Sequence, residues 1–274
     1  MSGATSRAVA RGAPIRVVVV EDSLVQRAFL VGVLEADGDI VVVGQATTAR
    51  EAIVAVGQML PDVVTLDLQI PEGGGQYALE QIMALTPTPV VVLSGTVQNE
   101  KSAPAIDALV AGALLALPKP LRWTPALEHE LRRNVRMLRN VPVIRRLKGL
   151  HPARSTGPTG PTAGVAPPTT TTAASSTTVV AIGASTGGPP ALATVLGGLV
   201  GLRAPVLVVQ HLHAYFVSGL VDWMARVSPL PVVVAVHGQE LRRGCVYIAP
   251  GGTHLRVAPG RRIELAERPA TLHR

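Results

Sequence analysis

The sequence predicts an α/β protein in two parts. A doubly wound (βα)5 domain is expected over residues 15–140, and a smaller α/β unit with β-hairpins, C-terminally incomplete, over residues 179–274. A tail of residues 1–14 precedes them and a linker of residues 141–178 joins them. Three observations predict this. Short Val/Ile/Leu runs alternate five times with helically spaced apolar residues in the first half, and continuous apolar strands of that length suit a parallel sheet covered on both faces. Residues 151–178 are mostly Thr, Pro, Gly, Ala and Ser, too poor in large apolar side chains to offset the entropy of ordering. Apolar patterning then returns at Val179.

The elements follow in order. Strands are expected at residues 15–20, 40–43, 63–66, 89–93 and 114–117. The intervening helices fall at 24–34, 49–60, 77–85, 103–111 and 125–138. In the second unit, strands are expected at 179–182, 205–209 and 231–236, with helices at 190–199 and 216–227. The segments 245–249, 255–257 and 263–265 read as strands joined by the turns at 250–253 and at Gly260, so hairpins are expected there, with Cys245 buried in one.

Composition limits what the chain does. Hydrophobic residues make up 47% and charged residues 16%, which excludes disorder throughout. No apolar run approaches the roughly 18 residues of a membrane helix, and no apolar signal segment follows Arg7 and Arg11. A cytoplasmic protein without membrane insertion is expected. One cysteine, Cys245, excludes an internal disulfide and builds no metal site by itself. The net charge of +7 conceals an asymmetry: residues 15–140 hold 10 Lys/Arg against 14 Asp/Glu, whereas residues 141–274 hold 13 against 4. A basic half can meet nucleic acid or an acidic protein surface. No helix-turn-helix and no basic helical stripe is found, so nucleic acid is not expected as a partner.

Chemistry in an open parallel sheet gathers at the carboxyl ends of its strands. Glu21 and Asp22 follow the first strand of the first domain, Asp67 the third, Ser94 the fourth and Lys119 the fifth. Carboxylates brought together repel one another and call for a hard divalent cation with oxygen ligands, Mg²⁺ above all. A carboxylate beside such a cation and a lysine is placed to attack a phosphoryl group, and Ser94 could hydrogen-bond the new phosphoryl oxygen. On these residues the segment 15–140 resembles a response-regulator receiver domain, whose fold is flavodoxin-like. The resemblance implies phosphorylation at Asp67, metal binding by Glu21, Asp22, Asp67 and Gln69, and switch and phosphate contacts from Ser94 and Lys119. It also implies a cis-prone step at Lys119-Pro120. Two positions depart from the family: its Asp-Gly pair appears as Gly74-Gly75, and its aromatic switch residue falls at Ala116.

Gly183-Ala184-Ser185-Thr186-Gly187-Gly188 follows an apolar strand and precedes a helix. Two readings compete. A Gly-rich strand-to-helix turn can cradle phosphate, although the spacing fits neither a Walker loop nor a dinucleotide fingerprint. It does fit Gly-x-Ser-x-Gly, with Ser185 exposed on a tight turn and the N–H groups of Thr186 and Gly187 available to an oxyanion. A serine nucleophile needs a base. His211, at the end of the next expected strand, shares the sheet edge with Ser185. His254 beside the 250–252 turn is a second candidate, and His213 reads as a surface residue. Asp222, Glu240, Glu264 and Glu267 are the carboxylates of this half, and none sits convincingly at a strand end to orient the histidine.

The segment 182–189, Gln210-His211 and Ile248-Ala249-Pro250-Gly251-Gly252-Thr253-His254 resemble the catalytic domain of the chemotaxis protein-glutamate methylesterases, the CheB family. The resemblance implies Ser185 as nucleophile and His211 as general base. It implies hydrolysis of glutamate γ-methyl esters, and deamidation of certain glutamines, on methyl-accepting chemotaxis receptors. A chemotaxis histidine kinase would supply the phosphoryl group. The family's triad aspartate lies beyond the matched segments, so a truncated chain with little or no esterase activity of its own is expected. The competing expectation is a phospho-accepting binding module without hydrolase activity.

Overall fold

A computed structural model describes residues 12–95, 103–143 and 178–267. The chain divides into two units, Met1–Lys148 and Gly149–Arg274. The linker expected over 141–178 lies, except for residues 141–143 and Thr178, outside the described residues.

In the first unit the strands are β1 (Ile15–Val20), β2 (Ile40–Ala46), β3 (Val63–Asp67), β4 (Val90–Gly95) and β5 (Leu115–Lys119). They form one parallel sheet in the order β2-β1-β3-β4-β5, the doubly wound arrangement of flavodoxin-like domains. The helices are α1 (Leu24–Glu35), α2 (Ala49–Met59), α3 (Gly74–Leu85), α4 (Ala103–Ala111) and α5 (Pro125–Leu138). Alternation along β1 explains the two-sided core. Ile15, Val17 and Val19 pack with Leu30, Val33 and Leu34 of α1 and with Leu131, Val135 and Leu138 of α5, while Val18 and Val20 are buried on the other face. Helix starts carry the expected caps: the side chains of Ser23, Thr48 and Thr124 accept from the N–H groups of Gln26, Glu51 and Leu127. Helix α3 begins at Gly74, three residues before its apolar pattern.

The second unit holds β6 (Val180–Ala184), α6 (Gly188–Gly197), β7 (Val206–Gln210), a 3-10 turn (Ala214–Phe216), α7 (Val217–Val227), β8 (Val232–Val234), β9 (Val246–Ile248), β10 (Thr253–Ala258) and β11 (Arg262–Glu267). Its sheet is parallel, in the order β6-β7-β9-β8. Here the structure corrects the expectation of successive hairpins. Strand β9 does not pair with β10. It inserts between β7 and β8, because its apolar Val246, Tyr247 and Ile248 are buried on both faces. One hairpin, β10–β11, remains among the described residues. Cys245 is buried as expected, but it leads into this parallel strand and is not part of a hairpin. The hairpin's Ile263 packs on Leu207, Tyr247, Leu241 and Ala235, covering one face of the sheet. Among the described residues there is no cis peptide bond, so Lys119-Pro120 is trans, against the cis-prone reading. No helix among them is long and apolar enough to cross a membrane.

Candidate functional site

The parallel register brings the predicted acidic residues of the first unit to one sheet edge. Glu21 and Asp22 leave β1, Asp67 ends β3, and the pairing of Ser94 with Pro118 and of Gly95 with Lys119 sets the ends of β4 and β5 level. One oxygen from each of Glu21, Asp22 and Asp67 lies within 4.8 Å of the others, with Glu21 and Asp67 buried and Asp22 exposed. The Lys119 ammonium bridges two of them, at 2.6 Å from Glu21 Oε2 and 2.6 Å from Asp67 Oδ2. Burial pushes the Glu21 carboxyl above its ordinary 4.5, in spite of Lys119. Burial also works to lower the Lys119 ammonium, but hydrogen bonds to Asp67 and Glu21 win and hold it above its ordinary 10.5. Gln69 N–H donates to Asp67 Oδ1 at 3.0 Å and fixes the carboxylate's rotation. Ser94 is half-buried at the end of β4. Three carboxylates around one cation-sized space, with one lysine offsetting part of their charge, fit a hard divalent ion with oxygen ligands.

Gly75 makes this edge possible. Its N–H donates to Leu68 O at 3.0 Å, and a Cβ there would run into Asp67 O and Leu68 Cα. Only glycine lets α3 start this close to the loop after Asp67. Ala116, where the resemblance implies an aromatic residue, is fully buried in β5.

In the second unit Ser185 follows β6 at once, on a turn closed by Gly188 N–H donating to Ser185 O at 2.8 Å, with Gly187 at φ 72°. His211 follows β7, and its N–H donates to Ala184 O at 2.8 Å, which continues the β6–β7 pairing by one step. The two side chains meet: Ser185 Oγ lies 3.3 Å from His211 Nδ1. For His211 to take the hydroxyl proton, Nδ1 must be bare and Nε2 must carry the hydrogen. Thr186 and Gly187 lie in the turn that leads into α6, where N–H groups at a helix start favour an oxyanion. His211, Gln210 and the segment 249–253 line a small open cleft.

The other candidates lie elsewhere. His213 caps the 3-10 turn, with its Nδ1 accepting from Tyr215 N–H at 3.2 Å. His254 is the second residue of β10, with Nε2 buried and without a hydrogen-bond partner among the described residues. Asp222 is exposed midway along α7, Glu240 is exposed, and Glu264 stands 3.8 Å from Arg256. The site reading overlooked Gln210. Its Nε2 donates to Ser185 O at 2.8 Å and to His211 O at 3.1 Å. The signal was a polar residue closing the otherwise apolar strand Val206–Gln210.

Comparison with known proteins bears on this arrangement. Residues 17–129 match the response regulator receiver domain, and residues 180–274 match the CheB methylesterase model. The protein-glutamate methylesterase/protein-glutamine glutaminase 3 of Anaeromyxobacter dehalogenans is 40% identical over 246 residues, covering 89% of this chain and 69% of that protein. The chain belongs to the CheB family. A CheB relative from Geobacter metallireducens, protein-glutamate methylesterase/protein-glutamine glutaminase 4, is 39% identical over 261 residues, covering 93% of this chain and 73% of its own. Among solved structures, the response regulator domain of Thermotoga maritima CheB is 34% identical, covering 47% of this chain and 98% of that one, with a TM-score of 0.44. The T. maritima CheB methylesterase catalytic domain is 37% identical, covering 34% of this chain and 52% of that one, with a TM-score of 0.33. In this CheB-family chain the receiver and the α/β unit with Ser185 each match a family model of their own.

Proposed function

We propose that this chain is a phosphorylation-regulated protein-glutamate methylesterase and protein-glutamine glutaminase that acts on methylated chemoreceptors in the cytoplasm. The observation that carries the reading is the 3.3 Å approach of Ser185 Oγ to His211 Nδ1 at the carboxyl edge of a parallel sheet. Residues 15–140 serve as the receiver, residues 141–178 as linker and residues 179–274 as the hydrolytic domain.

In this reading Ser185 Oγ attacks the γ-carbonyl carbon of the substrate while His211 Nδ1 takes the hydroxyl proton. The N–H groups of Thr186 and Gly187 receive the oxyanion. The protonated His211 then delivers its proton to the departing alkoxide, and methanol leaves an acyl-serine. Water, with its proton passing to His211, hydrolyses the acyl group and returns the glutamate and the free serine. A glutamine amide follows the same course with ammonia as the leaving group.

In the receiver, Asp67 accepts the phosphoryl group from a chemotaxis histidine kinase. Glu21, Asp22, Asp67 and the backbone carbonyl of Gln69 would hold Mg²⁺, which supplies neutralisation of the transferring oxygens. Lys119, already ion-paired to Asp67, carries its charge to the phosphoryl oxygens, and Ser94 supplies the hydroxyl that bonds them. Nothing in this reading needs nucleic acid or membrane insertion.

Methanol release from methylated receptor, with and without a small phosphodonor, tests it. Weak release, in keeping with the low activity that the resemblance implies for this chain, that requires Ser185 and rises with phosphorylation is the expected result. Phosphorylation of Asp67 with no release would overturn it in favour of a phospho-accepting binding module.

A further inference from the structure

We infer that Gln210 is a positioning residue that ties the nucleophile turn to the strand end bearing the base. The inference rests on the reading of Ser185 and His211 as a nucleophile and its base. Gln210 ends β7, and its carboxamide reaches across to the neighbouring strand end. The Nε2 group donates to Ser185 O at 2.8 Å and to His211 O at 3.1 Å, so one amide bonds the main chain of both reacting residues. Both partners are carbonyls, so the NH2 end must face them, which settles the orientation of the amide. Ser185 O thereby receives two hydrogen bonds, from Gln210 and from Gly188 N–H.

The opposite end of the amide is equally constrained. Gln210 Oε1 is buried without a hydrogen-bond partner among the described residues, and a side chain at Gly188 would collide with it. A buried acceptor left without a donor costs stability, and it persists here because the NH2 end is engaged twice. Gly188 therefore has two tasks: its N–H closes the serine turn, and its missing Cβ makes room for the amide that clamps the same turn. A displacement of about 1 Å at reacting atoms costs on the order of 10²-fold in rate, so a clamp on both carbonyls acts directly on the Ser185–His211 separation.

The test is covalent labelling of Ser185 in the full chain by a fluorophosphonate. The serine oxygen bonds phosphorus, the P–F bond breaks, fluoride departs, and the proton passes to His211. Reagent dependence separates the binding constant KI from the maximal rate kinact. Gln210→Glu keeps the shape and loses both donors. It is expected to lower kinact about 10²-fold with KI unchanged. Gly188→Ala, which pushes a methyl group at Oε1, is expected to slow labelling in the wild-type background and much less in Gln210→Ala, since only the Ala184 Cβ, at 3.0 Å, then stands close to the added methyl group. Unchanged kinact in Gln210→Glu, a loss confined to KI, or additive losses in the Gly188/Gln210 cycle would each overturn the inference while leaving the nucleophile in place. A wild-type chain that does not label at Ser185 overturns the nucleophile reading itself, and the clamp falls with it.

Discussion

Single atoms decide both sites. Ser185 is exposed, and the base that its hydroxyl meets is the Nδ1 of His211 at 3.3 Å. Replacing His211 by Gln keeps a polar side chain but removes the base. We expect methanol release and phosphonate labelling to fall by more than about 10³-fold, with the thermal midpoint nearly unchanged. In the receiver the corresponding residue is Gly75, whose missing Cβ lets α3 begin against Asp67 O. Gly75→Ala is expected to destabilise the first unit by about 1–3 kcal/mol and to slow phosphorylation of Asp67, as read by urea unfolding and by phosphodonor labelling.

Between elements, ion pairs and buried hydrogen bonds set how the pieces meet. Helix α5 is held to the loop before β2 by Arg132 on Asp37 at 2.9 Å and by Arg136 on Asp37 at 2.6 Å and Asp39 at 2.7 Å. The hydrogen bond from Arg136 holds both carboxyls below their ordinary 3.8. A carboxyl whose folded pKa is depressed contributes stability that is fully present above the unfolded value and is lost as pH falls through the folded one. The stabilisation is therefore intact above 3.8 and disappears below it. Arg136→Gln is expected to lower the urea midpoint of the first unit at neutral pH, with the difference from wild type shrinking below pH 3.8 and in added salt. In the second unit the fully buried Tyr247 of β9 accepts from Arg242 N–H at 2.8 Å and donates to Glu240 O at 3.3 Å. Burial pushes its hydroxyl above the ordinary 10.0. Tyr247→Phe leaves the Arg242 N–H without this acceptor, and a loss of about 1–2 kcal/mol is expected by denaturant unfolding.

Across the molecule, two units each carry their reactive groups at the carboxyl edge of a parallel sheet, the place where such sheets leave an open crevice. The first unit has its own two-faced core, built without residues of the second. A fragment of residues 12–143 is therefore expected to unfold in one cooperative transition and to accept a phosphoryl group from a small phosphodonor, with Asp67→Asn abolishing acceptance. Chelation of divalent cations is expected to abolish it as well, since Glu21, Asp22 and Asp67 lie within 4.8 Å of one another. Loss of labelling in Asp67→Asn but not on chelation would exclude the metal role of this cluster.

Much of this was legible in the residues alone. Strand β1, helix α4 and helix α5 stand at the limits that their apolar periodicity predicts, because a buried strand and a one-sided helix each impose a local repeat. The candidate residues that the structure brings together were also visible, since glycines around Ser185 and carboxylates at strand ends are local signals. Strand pairing is not local. The segment Val246–Ile248 lies among turns and reads as half of a hairpin, yet it pairs with β7 and β8, because burial on both faces requires neighbours on both sides. Gln210 escaped for a related reason: its role depends on which two carbonyls lie within reach of its amide, and only the register of β6 against β7 decides that. Periodicity and spacing determined which elements form and which side chains are candidates for the site. Long-range pairing and side-chain reach, energies that exist only between residues distant in sequence, decided how those elements are ordered and what holds the reactive pair in place.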